Sequence, residues 1–132
     1  MRYLLDTHAL LWAVDSPEKL SATVSVIVHD AANQLLVSIA TPWELAIKAN
    51  PGRLEKRLDV DELLNHFERT ISSAGYVILE TTIAHAVRAG RLPLHHRDPF
   101  DRLLIAQSLD LRVPIISRDG IFDRYGVKRI WK

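Results

Sequence analysis

Four short stretches are almost continuously apolar: residues 2–5 (RYLL), 34–40 (QLLVSIA), 76–80 (YVILE) and 113–117 (VPIIS). Runs of this length, rich in Leu, Ile and Val and without in–out alternation, suit strands covered on both faces, as in a parallel sheet. Between them the apolar period lengthens to that of a helix, in residues 21–32, 41–49, 60–75, 81–90 and 98–111. In residues 60–75, Val60, Leu63, Leu64, Phe67 and Ile71 share a helical face and Gly75 can close it. One further helix is predicted beyond Asp6, containing Leu10, Leu11 and Trp12, and a short one at 120–125. The segments NPGRLEKRLD (50–59) and LPLHHRD (92–98) read as connections. With no repeat or low-complexity tract, a single domain over residues 1–132 is expected.

Strands alternating with helices predict an α/β domain whose mostly parallel sheet is sandwiched by helices. At 132 residues the chain is long enough for one buried core. Seventeen Lys and Arg against sixteen Asp and Glu leave a net charge of +1, which argues against a strongly basic nucleic-acid binder and against an acidic tail. Any charge-dependent function must therefore be local. The absence of cysteine removes a disulfide framework and a thiolate metal site, and fits a cytoplasmic protein. The amino-terminal apolar run is interrupted by Asp6 and no stretch reaches bilayer-spanning length, so a soluble, unprocessed chain with no membrane partner is expected.

The sheet reading gives the acids a common destination. All strands of a parallel sheet end at one edge, the edge that ligand sites in open α/β sheets favour. Asp6 directly follows the first strand, Glu44 falls in the first turn of the helix after the second, Asp101 in the first turn of the helix leading into the fourth, and Asp119 two residues beyond that strand. Several of these acids also have a purely structural explanation. Thr41-Pro42-Trp43-Glu44 has the form of a capping box with proline at the first helical position, and Asp98-Pro99-Phe100-Asp101 imitates it with Asp as the cap. Asp119-Gly120 suits a turn or a cap for the short helix. Asp6, closing a buried strand, is costly without a partner.

Taken together, the acids point further than caps. Two carboxylates ~4 Å apart repel by about 4 kcal/mol at an effective dielectric near 20, so a cluster requires protonation, basic partners or a cation. Oxygen donors without cysteine, and without a zinc-like histidine pair, select Mg²⁺ or Mn²⁺ over Zn²⁺. Such ions support phosphoryl or phosphodiester chemistry. His95 and His96 are adjacent in a loop and point in different directions, so they are read as loop or RNA-contact residues, and Trp12, Trp43 and Trp131 as core or interface aromatics.

LLDTHALLW (4–12), SIATPWELAIK (38–48), HRDPFDRLLIAQ (96–107) and ISRDGIFDRYGV (116–127) occur in this order. They resemble the four acidic motifs of the PIN-domain ribonucleases, in particular the VapC-type toxins of toxin–antitoxin pairs. The resemblance implies a three-layer α/β/α fold and a metal-dependent endoribonuclease. It implies that Asp6, Glu44, Asp101 and Asp119 form an acidic quartet holding Mg²⁺ or Mn²⁺, with Asp6 and Asp101 as central ligands. Asp119 would complete the metal site and Glu44 would orient the attacking water or a second ion. Asp98 would be an additional acid, either the cap of the Asp101 helix alone or also a support behind the metal ligands, and Thr7 and Ser117 would be hydroxyl supports. A homodimer and a cognate antitoxin that blocks the site are implied as well.

An acidic site needs basic neighbours to hold a polyanion. Lys48, Arg53, Lys56 and Arg57 lie in and after the Glu44 helix, His95, His96, Arg97 and Arg102 surround Asp98 and Asp101, and Arg118 adjoins Asp119. Glu44 with Lys48 and Asp98 with Arg102 are also spaced for simple helical ion pairs. Two other classes compete. A receiver-like phosphoacceptor domain also gathers acids at a sheet edge, but the first strand here supplies one acid and VILE offers Glu80 where an aspartyl acceptor is needed. A non-catalytic RNA- or protein-binding module would use every acid as a cap.

Overall fold

The structure is a computed structural model that describes residues 1–49 and 60–132. The predicted loop at 50–59 lies outside the described residues, and with it Arg53, Lys56 and Arg57. The strands are β1 (Arg2–Leu5), β2 (Gln34–Ser38), β3 (Val77–Leu79), β4 (Ile115–Ile116) and β5 (Arg129–Ile130). The helices are α1 (Thr7–Asp15), α2 (Ala22–His29), α3 (Ala40–Lys48), α4 (Val60–Asn65), α5 (Phe67–Ser73), α6 (Ile83–Arg91) and α7 (Pro99–Leu111), with 3-10 turns at Pro17–Lys19 and Gly120–Tyr125.

The strands pair in the order β3-β2-β1-β4-β5, every pair parallel. Leu5 stands opposite Val37 on one side and Ile116 on the other. Alternate side chains leave opposite faces of the sheet. Tyr3, Leu5, Leu35, Val37 and Ile116 join Leu10, Val24, Leu45, Leu63, Phe67 and Ile71 in one buried layer. Leu4, Leu36 and Ile115 join Leu104, Ile105, Phe122 and Val127 in the other. Helices thus cover both faces, which explains the lack of alternation in the strand sequences.

Several predicted boundaries move. The strand predicted over 34–40 ends at Ser38, whose hydroxyl accepts from the Ala40 N–H at 3.0 Å and turns the chain directly into α3. The predicted 21–32 helix stops at His29, because the Asp30 carboxylate accepts from the Ala32 N–H at 2.9 Å in a local turn. The helix predicted over 60–75 breaks at His66 (φ −126°, ψ 27°), and Val60, Leu63, Phe67 and Ile71 all still reach the core. β5 escaped the sequence reading because two residues, one of them Arg, make no apolar run.

The strand order decides between fold types. A receiver-like sheet runs 2-1-3-4-5, with its third strand beside the first. Here β3 is an edge strand and Glu80 at its end is exposed, so the receiver-like alternative does not hold. The chain builds β1, β2 and β3 outward in one direction, then places β4 and β5 on the other side of β1. The order reverses between β1 and β4, and a crevice opens at the carboxyl ends of strands at such a point.

Candidate active site

Asp6 stands at this reversal. Its backbone N–H donates to the Ile116 carbonyl at 3.1 Å, fastening the end of β1 to β4. Its side chain caps α1, accepting from the Ala9 N–H at 2.8 Å, and is 7% exposed. Burial pushes the Asp6 carboxyl up to about 6. The Ser117 hydroxyl and the Ala9 N–H work against that rise, while the charges of Glu44 and Asp119 add to it. Ser117, at the end of β4, also accepts from the Asp119 N–H at 3.0 Å, so one buried hydroxyl joins Asp6 to the Asp119 turn.

Glu44 lies two residues deeper in its helix than its sequence suggested. α3 begins at Ala40 with Ile39 at the cap position and no side-chain capping bond, so the predicted Thr41–Glu44 capping box does not form. The Ser38 hydroxyl has taken over the start of the helix, Thr41 is buried within it, and Glu44 lies in the second turn. The 5% exposed Glu44 carboxylate is held at both oxygens, by the Thr7 hydroxyl at 2.5 Å and by the Lys48 ammonium at 2.5 Å. Burial disfavours the Lys48 charge, but its hydrogen bond to Glu44 and the charges of Glu44, Asp98 and Asp101 outweigh this and raise its pKa above the ordinary lysine value. Lys48 is thus a cation directed into the acidic group.

Asp98 and Asp101 divide as their spacing suggested. Asp98 caps α7, accepting from the N–H groups of Phe100 at 2.9 Å and Asp101 at 3.0 Å, and Pro99 occupies the first helical position. Asp101 follows in the first turn, and its Oδ2 lies 2.7 Å from His96 Nε2. Burial pushes the Asp101 carboxyl up to about 6, the His96 hydrogen bond lowers it, and the charges of Asp98 and Glu44 raise it further.

Two residues of this segment play roles the sequence did not reveal. His96, read above as a loop or RNA-contact residue, is the partner of Asp101. Arg102 makes no helical ion pair with Asp98: its buried guanidinium donates to the carbonyls of Pro93, His96, Leu92 and Gly90 at 3.0, 3.1, 2.9 and 3.4 Å. The Tyr125 hydroxyl donates to the Pro93 carbonyl at 2.8 Å and accepts from the His96 N–H at 2.7 Å. Both fix the connection that carries His96 to Asp101. Neither the position five residues before Asp101 nor a lone arginine in the helix signals this. The His95 ring meets the Tyr125 ring at 5.2 Å.

Asp119 is exposed and caps the Gly120–Tyr125 turn through the Ile121 N–H at 3.0 Å. Beside it, Arg129 grips both oxygens of Asp123 at 2.9 Å and donates to the Ser117 carbonyl at 3.2 Å.

The four sequence-predicted acids therefore arrive from four elements at the carboxyl edge, and they act on one another electrostatically: Asp6 with Glu44 and Asp119, and Asp101 with Glu44. Among the described residues no three His, Asp or Glu side chains enclose an ion-sized space, as Glu44 is turned to Thr7 and Lys48 and Asp101 to His96. The donor chemistry nonetheless fits a hard divalent cation. A buried and a half-buried carboxyl with raised pKa gain most from a positive charge, and the carboxylates of Glu44 and Asp119 add further oxygen donors.

Comparison with solved structures gives the same fold. VapBC2 from Rickettsia felis, bound to a DNA fragment from its promoter, superposes with a TM-score of 0.67 at 13% identity, covering 100% of both chains. FitAB bound to an IR36 DNA fragment gives 0.68 at 16% identity, over 97% of this chain and 93% of that one. FitAcB from Neisseria gonorrhoeae gives 0.64 at 17% identity, over 97% and 96%. The sequence has no match among the curated proteins. The family model described as PIN domain matches residues 3–128, nearly the whole chain and all four acidic motifs. The chain belongs to the PIN domain family.

Proposed function

We propose that the chain, as one domain over residues 1–132, is a metal-dependent endoribonuclease and the toxin of a toxin–antitoxin pair. One observation carries the reading. Asp6, buried, and Asp101, half-buried, both with carboxyls raised to about 6, share their field with Glu44 and Asp119 at the strand-order reversal. Acids used only as caps need no such convergence, and Glu44 caps nothing.

Asp6 and Asp101 would hold Mg²⁺ or Mn²⁺ centrally, Asp119 would complete the set, and Glu44 would orient the attacking water or a second ion. The bound ion would supply charge stabilisation and an activated water for cleavage of an RNA phosphodiester. The protein's own groups prepare the site. Thr7 and Lys48 fix the Glu44 carboxylate, Ser117 and the Ala9 N–H fix Asp6, and the Asp98 cap sets the helix turn that presents Asp101. His96 Nε2 lies 2.7 Å from Asp101 Oδ2 and holds that carboxyl in place.

A protein partner is supported by an apolar groove of about 540 Å³ beside the acids, lined by Ile39, Trp43, Ala86, Ala89, Pro99 and Leu103. Trp43 is 56% exposed there and braced edge-on by Phe100 at 4.8 Å. Exposed aromatic area of this kind suits a covering chain, here the antitoxin. The family resemblance adds a homodimer, and a cytoplasmic location accords with RNA as substrate; among the described residues no helix is long and apolar enough to cross a membrane.

Expression in a bacterial host tests the reading. Wild type should arrest growth with fragmentation of cellular RNA, co-expression of the antitoxin encoded beside it should relieve the arrest, and Asp6→Asn should be harmless at equal protein level. Arrest by Asp6→Asn equal to wild type would overturn the assignment.

A further inference from the structure

The acidic quartet repels the polyanion it is proposed to cut, and its own cation, Lys48, is committed to Glu44. A second feature at the same edge has the opposite sign. A cleft of about 810 Å³ is lined by Lys19, Arg118, Arg129, Trp131 and Lys132. It lies where β4 and β5 end, and it adjoins the quartet directly: Arg118 sits between Ser117 and Asp119, and the Asp119 charge is felt at Arg129.

The cleft is built from fixed parts. Arg129 is locked by Asp123 and the Ser117 carbonyl, so it forms a fixed wall of the cleft and not a flexible arm. The Ser21 hydroxyl donates to the Trp131 carbonyl, and the Trp131 indole lies 5.7 Å from that of Trp12, half-buried. Arg118 and Lys132 are exposed, and among the described residues no carboxylate pairs with either. Two uncommitted cations, a fixed guanidinium and an aromatic wall are the elements of a single-strand nucleic-acid groove, in which cations follow the phosphates and a base rests on the ring.

Resting on the ribonuclease reading, we infer that this cleft holds the RNA strand flanking the scissile phosphate, with Arg118 and Lys132 as its phosphate contacts and Trp131 as a surface for a base. It is a positioning site that lets an acidic centre retain its substrate.

The test measures binding separately from cleavage. In the Asp6→Asn background, with chelator present, affinity for a fluorescent single-stranded RNA is followed by anisotropy across a salt series. Arg118→Ala with Lys132→Ala should weaken binding by about tenfold or more at ~0.1 M salt and flatten the logarithmic salt dependence by about 1–1.5, the expectation for two lost single-strand phosphate contacts. The matched control is Arg88→Ala with Arg91→Ala, exposed cations of α6, and it should leave both quantities unchanged. Equal effects from the two pairs, or none from the cleft pair, would overturn the proposal, as would a loss confined to duplex DNA. Failure of wild type to cleave RNA would count against the ribonuclease reading and leave this binding result standing.

Discussion

At the scale of single residues, Asp6 carries the sharpest conflict between folding and function. Its carboxyl is raised from 3.8 to about 6, so the folded state binds the proton more tightly than the unfolded chain. That contribution favours the fold below pH ~4 and is lost as pH rises through about 6, leaving a charged, buried group at neutral pH. Asn retains an oxygen to accept from Ala9 and Ser117 but has no charge to bury. Asp6→Asn should therefore stabilise the chelator-treated protein at pH 7 by about 2–3 kcal/mol while abolishing cleavage. Urea unfolding at pH 7 and pH 4 checks this, since the gain should largely vanish at the lower pH; an equal gain at both would mean that the charge is not its source. The sequence made Asp6 visible because an acid closes an apolar run. It did not show Thr7 reaching Glu44, which needs two separate elements to be assembled, or His96 reaching Asp101, which depends on how the connection before α7 folds back.

At the scale of elements, the starts of α3 and α7 show what local pattern can and cannot decide. Both sequences offer a cap, a proline and an acid three residues on. Asp98 keeps its position, its carboxylate accepting from the Phe100 and Asp101 amides. Thr41 loses its position because Ser38, at the end of β2, reaches the Ala40 amide first. The two acids of α7 should accordingly separate by substitution. Asp98→Ser, which still caps, should keep stability within about 1 kcal/mol and retain most cleavage, whereas Asp98→Ala should lose about 1 kcal/mol. Asp101→Ser should lose cleavage at little cost in stability. Equal loss of cleavage in Asp98→Ser and Asp101→Ser would place Asp98 in the reacting group. Arg102 belongs to the same scale. Its planar fork serves four carbonyls of residues 90–96, and a lysine's single ammonium has neither the donors nor the reach to replace it. Arg102→Lys should destabilise by about 2–4 kcal/mol in denaturant titration, through carbonyls left unsatisfied. A variant as stable as wild type would show that solvent replaces those bonds freely.

At the scale of the whole molecule, the pattern of apolar runs predicted a parallel α/β sheet, and the sheet is parallel throughout. The strand order was not legible in the same way, because it depends on which strand edges meet, and no local period encodes that. The order nevertheless determines the function proposed here. By reversing between β1 and β4 it brings Asp6 beside the Ser117–Asp119 turn, while α3 and α7 deliver Glu44 and Asp101 to the same edge. The central claim is that these acids act together on RNA through a divalent cation. Its most direct test is cleavage of a single-stranded RNA by purified wild type, Asp6→Asn and Asp101→Asn across a Mg²⁺ and Mn²⁺ titration with chelator controls. The account expects cleavage by wild type that rises with metal and stops with chelator, and a loss of at least about a hundredfold in each variant, the size of effect seen when a group stabilising transition-state charge is removed. Cleavage by both variants as fast as by wild type, or undiminished by chelator, would contradict it.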